Sequence, residues 1–125
     1  MSLVLLIEDE FVVGLTMTVQ FESLGWDVAG WARTAEHGVE LAEQFAQELD
    51  LIVVDLGLPG EDGIWAIKQI RRRRDLRKIP IIVATAYGGQ HVEHALKAGA
   101  SIALPKPVLE VEWAKTVSEL LGAKG

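Results

Sequence analysis

Charged and hydroxyl side chains stand where the short aliphatic runs of this chain end. The residues that share this position are Glu8, Asp9, Asp55, Thr85 and Lys106. If the runs are parallel strands of one open sheet, these side chains converge, because ligands bind beyond the carboxyl ends of such strands. Three carboxylates about 5 Å apart would repel each other by roughly 3 kcal/mol per pair at an effective dielectric constant near 20. Such a cluster is poor for stability and suited to a divalent cation.

The composition is that of one ordinary globular domain. The chain has 125 residues, of which 50% are apolar and 24% charged, and this length is enough for a single two-sided α/β core. It contains no cysteine, so the fold cannot depend on disulfides. We therefore predict a single domain over residues 1–125.

Charge and hydropathy limit the partners. Eighteen acidic residues against twelve basic ones leave a net charge of −6, which disfavours direct binding to a nucleic-acid backbone. The N-terminal apolar run ends at Glu8, Asp9 and Glu10, so it is too short for a signal peptide or a membrane span. We predict a cytoplasmic protein that binds neither membranes nor, directly, nucleic acid.

Strand patterns alternate with helical patterns, which is the signature of βαβ units. Five strands are predicted, at Leu3 to Ile7, Trp26 to Trp31, Leu51 to Val54, Ile81 to Ala84 and Ile102 to Leu104. Five helices are predicted, at Phe11 to Leu24, Thr34 to Gln47, Ile64 to Arg74, a short segment ending at Gly99, and Leu109 to Leu121. The all-apolar strands fit a parallel sheet covered on both faces, and the weaker alternation of the second strand predicts a sheet edge. The predicted fold class is therefore α/β.

Three helical features leave specific expectations. The last helix is predicted to bury Leu109, Trp113, Val117, Leu120 and Leu121. The run Arg71 to Arg74 is interpreted as a solvated helix end, because cations there complement the helix dipole. The first helix carries two apolar faces, and the second of them either wraps over the sheet edge or uses Val13 and Met17 as a docking patch for a partner helix.

Five short motifs in order give this chain a family resemblance. They are LLIEDE at 5–10, VVDLGLPGEDG at 53–63, PIIVATA at 80–86, KAGA at 97–100 and PKP at 105–107. Together they resemble the receiver domains of two-component response regulators, including the single-domain chemotaxis type, over essentially the whole chain. The resemblance implies a flavodoxin-like (βα)5 fold, a doubly wound parallel five-stranded sheet with strand order 2-1-3-4-5.

The resemblance implies that Asp55 accepts a phosphoryl group from a histidine kinase or a histidine phosphotransfer protein. The residues themselves also favour Asp55, because it ends the most hydrophobic central strand and a nucleophile must be held rigidly. Lys106 would pair with Asp55 in the resting state and neutralise the phosphoryl charge afterwards, and Thr85 would donate its hydroxyl to the phosphoryl group, so the catalytic roles fall to these three residues. The family also implies a cis bond between Lys106 and Pro107.

The predicted cofactor is Mg²⁺, which prefers six hard oxygen ligands. By family position the ligands would be Asp9, Asp55 and the backbone carbonyl of Gly57, with Glu8 acting through a water molecule. The resemblance further implies that Gly57 and Tyr87, two residues after the phosphoacceptor and the threonine, control the lifetime of the phosphate. Gly57 has no side chain to orient an attacking water and Tyr87 could screen one, so slow to moderate self-hydrolysis is expected.

The residues expected to transmit phosphorylation to a binding partner depart from the family pattern. The output surface should be the fourth helix, fifth strand and fifth helix, which would bind a downstream protein, contact a fused output domain or form a homodimer. The family usually has an aromatic switch residue three positions before the lysine, but this chain has Ala103. Tyr87 is either a substitute for that switch or an exposed loop aromatic.

Other functional classes leave one alternative. A phosphatase with an aspartyl intermediate would want a carboxylate two residues after its nucleophile, where this chain has Gly57. A flavin phosphate would be repelled by the acids after the first strand. A receiver-like scaffold that binds partners without phosphorylation remains, because Ala103 breaks part of the switch. In both surviving cases the chain is not a conventional enzyme, since a receiver catalyses only its own modification and its reversal.

Overall fold

The computed structural model describes residues 2–122, so residue 1 and residues 123–125 of the predicted domain lie outside the described residues. Within the described range five strands form one sheet, namely β1 (Leu3–Ile7), β2 (Asp27–Ala32), β3 (Leu51–Val54), β4 (Ile81–Thr85) and β5 (Ile102–Pro105). The α-helices of residues 2–122 follow the strands in turn and are α1 (Phe11–Ser23), α2 (Ala35–Gln44), α3 (Gly63–Arg72), α4 (Gln90–Ala98) and α5 (Glu110–Leu121). All strand pairs are parallel and the order is β2-β1-β3-β4-β5. The predicted fold class and strand order are confirmed.

Alternation along the central strands divides the core into two layers. Leu5 and Ile7 of β1 face a core shared with α2, α3 and α4, whereas Val4 and Leu6 face a core shared with α1 and α5. Both faces of β1, β3 and β4 are therefore buried, which explains why these strands read as continuous apolar runs. The polar residues that follow them are left at one edge of the sheet.

Two predicted features of the third helix are wrong. Helix α3 ends at Arg72 because Arg73 takes an extended conformation, and a 3₁₀ turn over Arg74–Leu76 follows. Arg71 turns inward and donates hydrogen bonds to the carbonyls of Leu76, Ile79 and Gly99. The arginine run is thus not uniformly a solvated end, since its first member donates hydrogen bonds to three backbone carbonyl groups.

Two predicted roles of apolar residues need correction. Leu109 precedes α5 and is 59% exposed, so it does not join the core with Trp113. Met17 is only 4% exposed and packs in the core beside α5, so in the predicted docking patch it contributes no more than the lining of a groove that Val13 also borders. The exposed apolar face of α1 is the other one, carrying Val12, Leu15 and Val19. None of the helices within residues 2–122 combines the length and the hydropathy needed to cross a membrane.

Candidate functional site

The parallel sheet brings the predicted site residues to its carboxyl edge. Glu8 and Asp9 follow β1, Asp55 follows the adjacent β3, Thr85 ends β4 and Lys106 follows β5. Strand-like hydrogen bonding continues one residue past the strands, since the Asp55 N–H donates to the Ile7 carbonyl and the Lys106 N–H donates to the Thr85 carbonyl, both at 3.0 Å. These bonds fix the backbone of the residues that carry the chemistry.

The three acids form one compact cluster. One carboxylate oxygen each from Glu8, Asp9 and Asp55 lies within 4.8 Å of the other two. Glu8 and Asp55 are buried and Asp9 is half-buried, so the cluster opens to solvent on the Asp9 side. This spacing agrees with the repulsive arrangement expected from the strand ends.

Lys106 compensates two of these charges. Its Nζ atom lies 2.6 Å from Glu8 Oε1 and 3.3 Å from Asp55 Oδ2. Burial alone would lower the pKa of the ammonium, but the Glu8 and Asp55 carboxylates outweigh burial and raise that pKa above its ordinary value. The pair with Asp55 was expected, and the closer pair with Glu8 was not.

Glu8 is the most buried member of the cluster, with no exposed surface. Its Oε2 atom accepts a hydrogen bond from the Glu10 N–H at 3.1 Å, whereas the partner of Oε1 among the described residues is the Lys106 ammonium. Burial raises the pKa of Glu8. A buried carboxylate beside two further carboxylates offers the hard oxygen donors that Mg²⁺ prefers.

Thr85 and Tyr87 form the other wall of the site. Thr85 is buried, and its Oγ1 accepts a hydrogen bond from the Tyr87 N–H at 3.1 Å. The Tyr87 ring covers Gly57, where a Cβ would lie only 2.8 Å from Tyr87 Cε2 and 3.0 Å from the phenol oxygen. Only glycine at position 57 leaves room for the ring in this place.

Two features of β5 and the residues just after it concern what the resemblance implied. The Lys106–Pro107 bond is cis, as the resemblance implied. Ala103 pairs with Val83 and packs against the core under α3 and α4, so no aromatic side chain is available at that position. The liganding role of the Gly57 carbonyl stays a prediction.

Two residues near the site carried no sequence signal. The indole N–H of Trp31 donates to the Glu8 carbonyl at 2.7 Å. Arg33 donates to the Asp9 carbonyl from Nη2 at 2.8 Å and from Nε at 3.2 Å. Both belong to the end of β2 or the residues just after it, where periodicity predicted only an edge strand.

Comparison with curated proteins identifies relatives of this chain. The "Transcriptional regulatory protein PdtaR" of Mycobacterium tuberculosis is 35% identical over 105 residues, which cover 83% of this chain and 49% of that protein. The "Chemotaxis protein CheY1" of Helicobacter pylori is 37% identical over 76 residues, which cover 58% of this chain and 61% of that protein. The chain thus spans about half the length of regulators such as PdtaR.

Solved structures with the same fold include receiver domains. That of the sensor histidine kinase PA1611 from Pseudomonas aeruginosa PAO1, described with a magnesium ion coordinated in its active site cleft, is 32% identical with a TM-score of 0.88 over 97% of this chain and 98% of that one. A CheX–CheY complex with BeF3 and Mg²⁺ from Borrelia burgdorferi is 22% identical with a TM-score of 0.90 over 97% and 90% of the two chains, which shows the shared fold alone. The sequence model of the family "Response regulator receiver domain" matches residues 4–118. The chain therefore belongs to the receiver domains of two-component response regulators.

Proposed function

We propose that this domain takes a phosphoryl group onto Asp55 in a Mg²⁺-dependent reaction and that the modification changes which partner it binds. The observation that carries the proposal is the convergence of a buried aspartate, two further acids, a lysine and a threonine at one sheet edge. Phosphoryl transfer asks a protein mainly for positioning and charge neutralisation. Every group in this cluster serves one of those two needs.

In the proposed step, an Asp55 carboxylate oxygen attacks the phosphorus of a phosphohistidine. The new O–P bond forms as the N–P bond breaks, and the donor imidazole leaves with that electron pair. Lys106 shifts its charge from the carboxylates to a phosphoryl oxygen, and the Thr85 hydroxyl donates to another. A bound Mg²⁺, held by Asp9, Asp55, the Gly57 carbonyl and, through water, Glu8, would neutralise negative charge on the phosphoryl group. The domain catalyses its own modification and its reversal, and is not a conventional enzyme.

The experiment uses small phosphodonors. The purified domain is incubated with acetyl phosphate or phosphoramidate and Mg²⁺, and its intact mass is measured with and without excess EDTA. We expect one phosphoryl adduct that requires the metal. An unchanged mass would favour the alternative, a phosphorylation-independent scaffold, for which the observation is the alanine at position 103 on β5.

The proposed donor surface is the exposed apolar face of α1. Val12, Leu15 and Val19 are 72%, 47% and 56% exposed, and Val12 also borders a groove of about 330 Å³ that Lys106 and Pro107 line. Exposed apolar area next to a reactive site is typical of a protein-binding surface. A helix of the histidine kinase or phosphotransfer protein packed here would bring its phosphohistidine to the edge that holds Asp55.

Leu15→Glu tests this surface. We expect it to slow transfer from the fastest of a panel of phosphorylated kinase and phosphotransfer domains at least tenfold, because a buried unpaired carboxylate costs more than 1.4 kcal/mol. Phosphorylation by acetyl phosphate should not change. Leu96→Glu on α4, where the leucine is 43% exposed, is the matched control. Equal transfer by both variants would refute the donor surface.

The proposed output surface is α4, β5 and α5. Leu96 on α4 and Val111 on α5 are exposed apolar residues, which supports contact with a downstream protein, a fused output domain or a second copy of the chain. In this proposal the domain works in the cytoplasm and does not contact nucleic acid itself.

Tyr87 provides a test of phosphate lifetime. The ring lies over Gly57, so it should screen water from phospho-Asp55 and keep hydrolysis slow to moderate. We expect Tyr87→Ala to speed the loss of the adduct several-fold in a time course of intact mass. Tyr87→Phe keeps the ring and should keep the lifetime. If alanine and phenylalanine behave alike, the ring is not the screen.

A further inference from the structure

The segment Glu8 to Glu10 is anchored by its backbone as well as by its side chains. The Glu8 N–H donates to the Ala32 carbonyl at 2.9 Å, and the Glu8 carbonyl accepts the Trp31 indole N–H at 2.7 Å. The next carbonyl, that of Asp9, accepts both hydrogen bonds from Arg33. The two residues that present metal-binding carboxylates therefore have their backbone held from β2 and the residue after it.

The anchoring side chains are themselves held in place. The Trp31 ring lies against α1 at Gly14, where a Cβ would stand 2.0 Å from Trp31 Cε2. The Phe11 ring packs on Trp31 with centroids 5.6 Å apart. The Arg33 guanidinium carbon lies 5.9 Å from the Trp31 ring centroid and 6.0 Å from that of Phe11, within the range of cation–π attraction. Gly14 of α1 and the Phe11 ring thus hold the Trp31 ring in place beside the segment Glu8 to Glu10.

This anchoring matters because the acids repel each other and because Mg²⁺ demands near-ideal octahedral geometry. A repelling segment without regular secondary structure would turn its carboxylates apart unless its backbone were held. Hydrogen-bond partners that orient metal-binding groups commonly change affinity by about tenfold or more when they are removed.

We propose that Trp31 and Arg33 are positioning residues that hold the Glu8 and Asp9 carboxylates in a geometry ready for Mg²⁺. This inference rests on the metal site of the proposed function. Two residues at the end of β2 or just after it would thus support metal binding without belonging to the strand-end cluster itself.

Trp31→Phe is the direct test, because phenylalanine keeps an aromatic ring and removes only the indole N–H donor and part of the ring. The matched control is Trp26→Phe. Trp26 is also half-buried and stands at the other end of β2, where it packs edge-on against Phe21 with centroids 5.8 Å apart. The Mg²⁺ dissociation constant is measured by titration calorimetry without a phosphodonor, and the urea midpoint is measured without Mg²⁺.

We expect Trp31→Phe to weaken Mg²⁺ binding about tenfold and Trp26→Phe to leave it unchanged. Unchanged affinity in Trp31→Phe, or equal losses in both variants, would overturn the inference. A wild-type domain without Mg²⁺ affinity would instead contradict the metal site itself, and the inference with it.

Substitutions of Arg33 distinguish a positioning role from an effect of its charge. They also test the inference if Trp31→Phe does not fold. Arg33→Lys retains the positive charge and loses the planar fork that binds the Asp9 carbonyl. We expect weaker Mg²⁺ binding in this variant. Arg33→Gln also removes a charge that repels the cation, so tighter binding in Arg33→Gln together with unchanged binding in Arg33→Lys would show that Arg33 acts by charge alone and would overturn its positioning role.

Discussion

Lys106→Met should slow phosphorylation of Asp55 by small donors about a hundredfold, because loss of one preorganised charged donor at a transition state typically costs that much. It should also destabilise the metal-free domain by about 3 kcal/mol at pH 7, since breaking a buried ion pair leaves the partner charge uncompensated. That partner is Glu8, which has no exposed surface. Rates of adduct formation and urea unfolding of the variant measure the two effects.

The loss of stability should depend on pH. Burial already raises the pKa of Glu8 above its ordinary value of 4.5, and removal of the Lys106 charge would raise it further. The folded variant then binds a proton more tightly than the unfolded chain does, so the free energy of unfolding recovers as the pH falls from 7 through the folded pKa of Glu8 toward 4.5. Lys97→Met removes an exposed lysine of α4 and is the control. A deficit that stays constant with pH would contradict the buried pair.

Asp55→Asn should abolish the phosphoryl adduct completely, because the amide cannot attack phosphorus and the proposed function assigns Glu8 and Asp9 to the metal, not to the phosphoryl group. It should also weaken Mg²⁺ binding, because the acidic cluster loses one of its three carboxylates. The matched control is Asp62→Asn in the same loop. Asp62 caps α3 by accepting the Trp65 N–H at 2.9 Å, and asparagine caps helices equally well, so this variant should be phosphorylated like the wild type. Residual adduct in Asp55→Asn would point to a second acceptor.

Much of the fold could be predicted because β1, β3 and β4 are buried on both faces and therefore read as apolar runs. The predictions that need correction concern side chains whose environment is set by tertiary contacts. Arg71 resembles its neighbours in sequence, yet it is the member of the run that closes three backbone carbonyls. Both faces of α1 are apolar, so periodicity alone could not show that Met17 faces α5 and Leu15 faces solvent.

The site could be predicted to the level of which residues meet, because parallel strands deliver their ends to one edge of a sheet. Side-chain pairing could not. Lys106 was expected to pair with Asp55. Its Nζ atom lies closer to the buried Glu8 carboxylate, at 2.6 Å from Oε1. The contacts of Trp31 and Arg33 with backbone carbonyls follow from the packing of β2 against α1 around Gly14. No local sequence motif predicts such a contact.

The central claim is that Asp55 carries the phosphoryl group. Borohydride reduces an aspartyl phosphate to homoserine, so the domain treated with acetyl phosphate and Mg²⁺ can be reduced, digested and sequenced by tandem mass spectrometry. Homoserine at position 55, absent from samples treated with EDTA, is the predicted result. Homoserine at position 9 in place of position 55, or unmodified Asp55 in a sample whose intact mass shows an adduct, would contradict the claim.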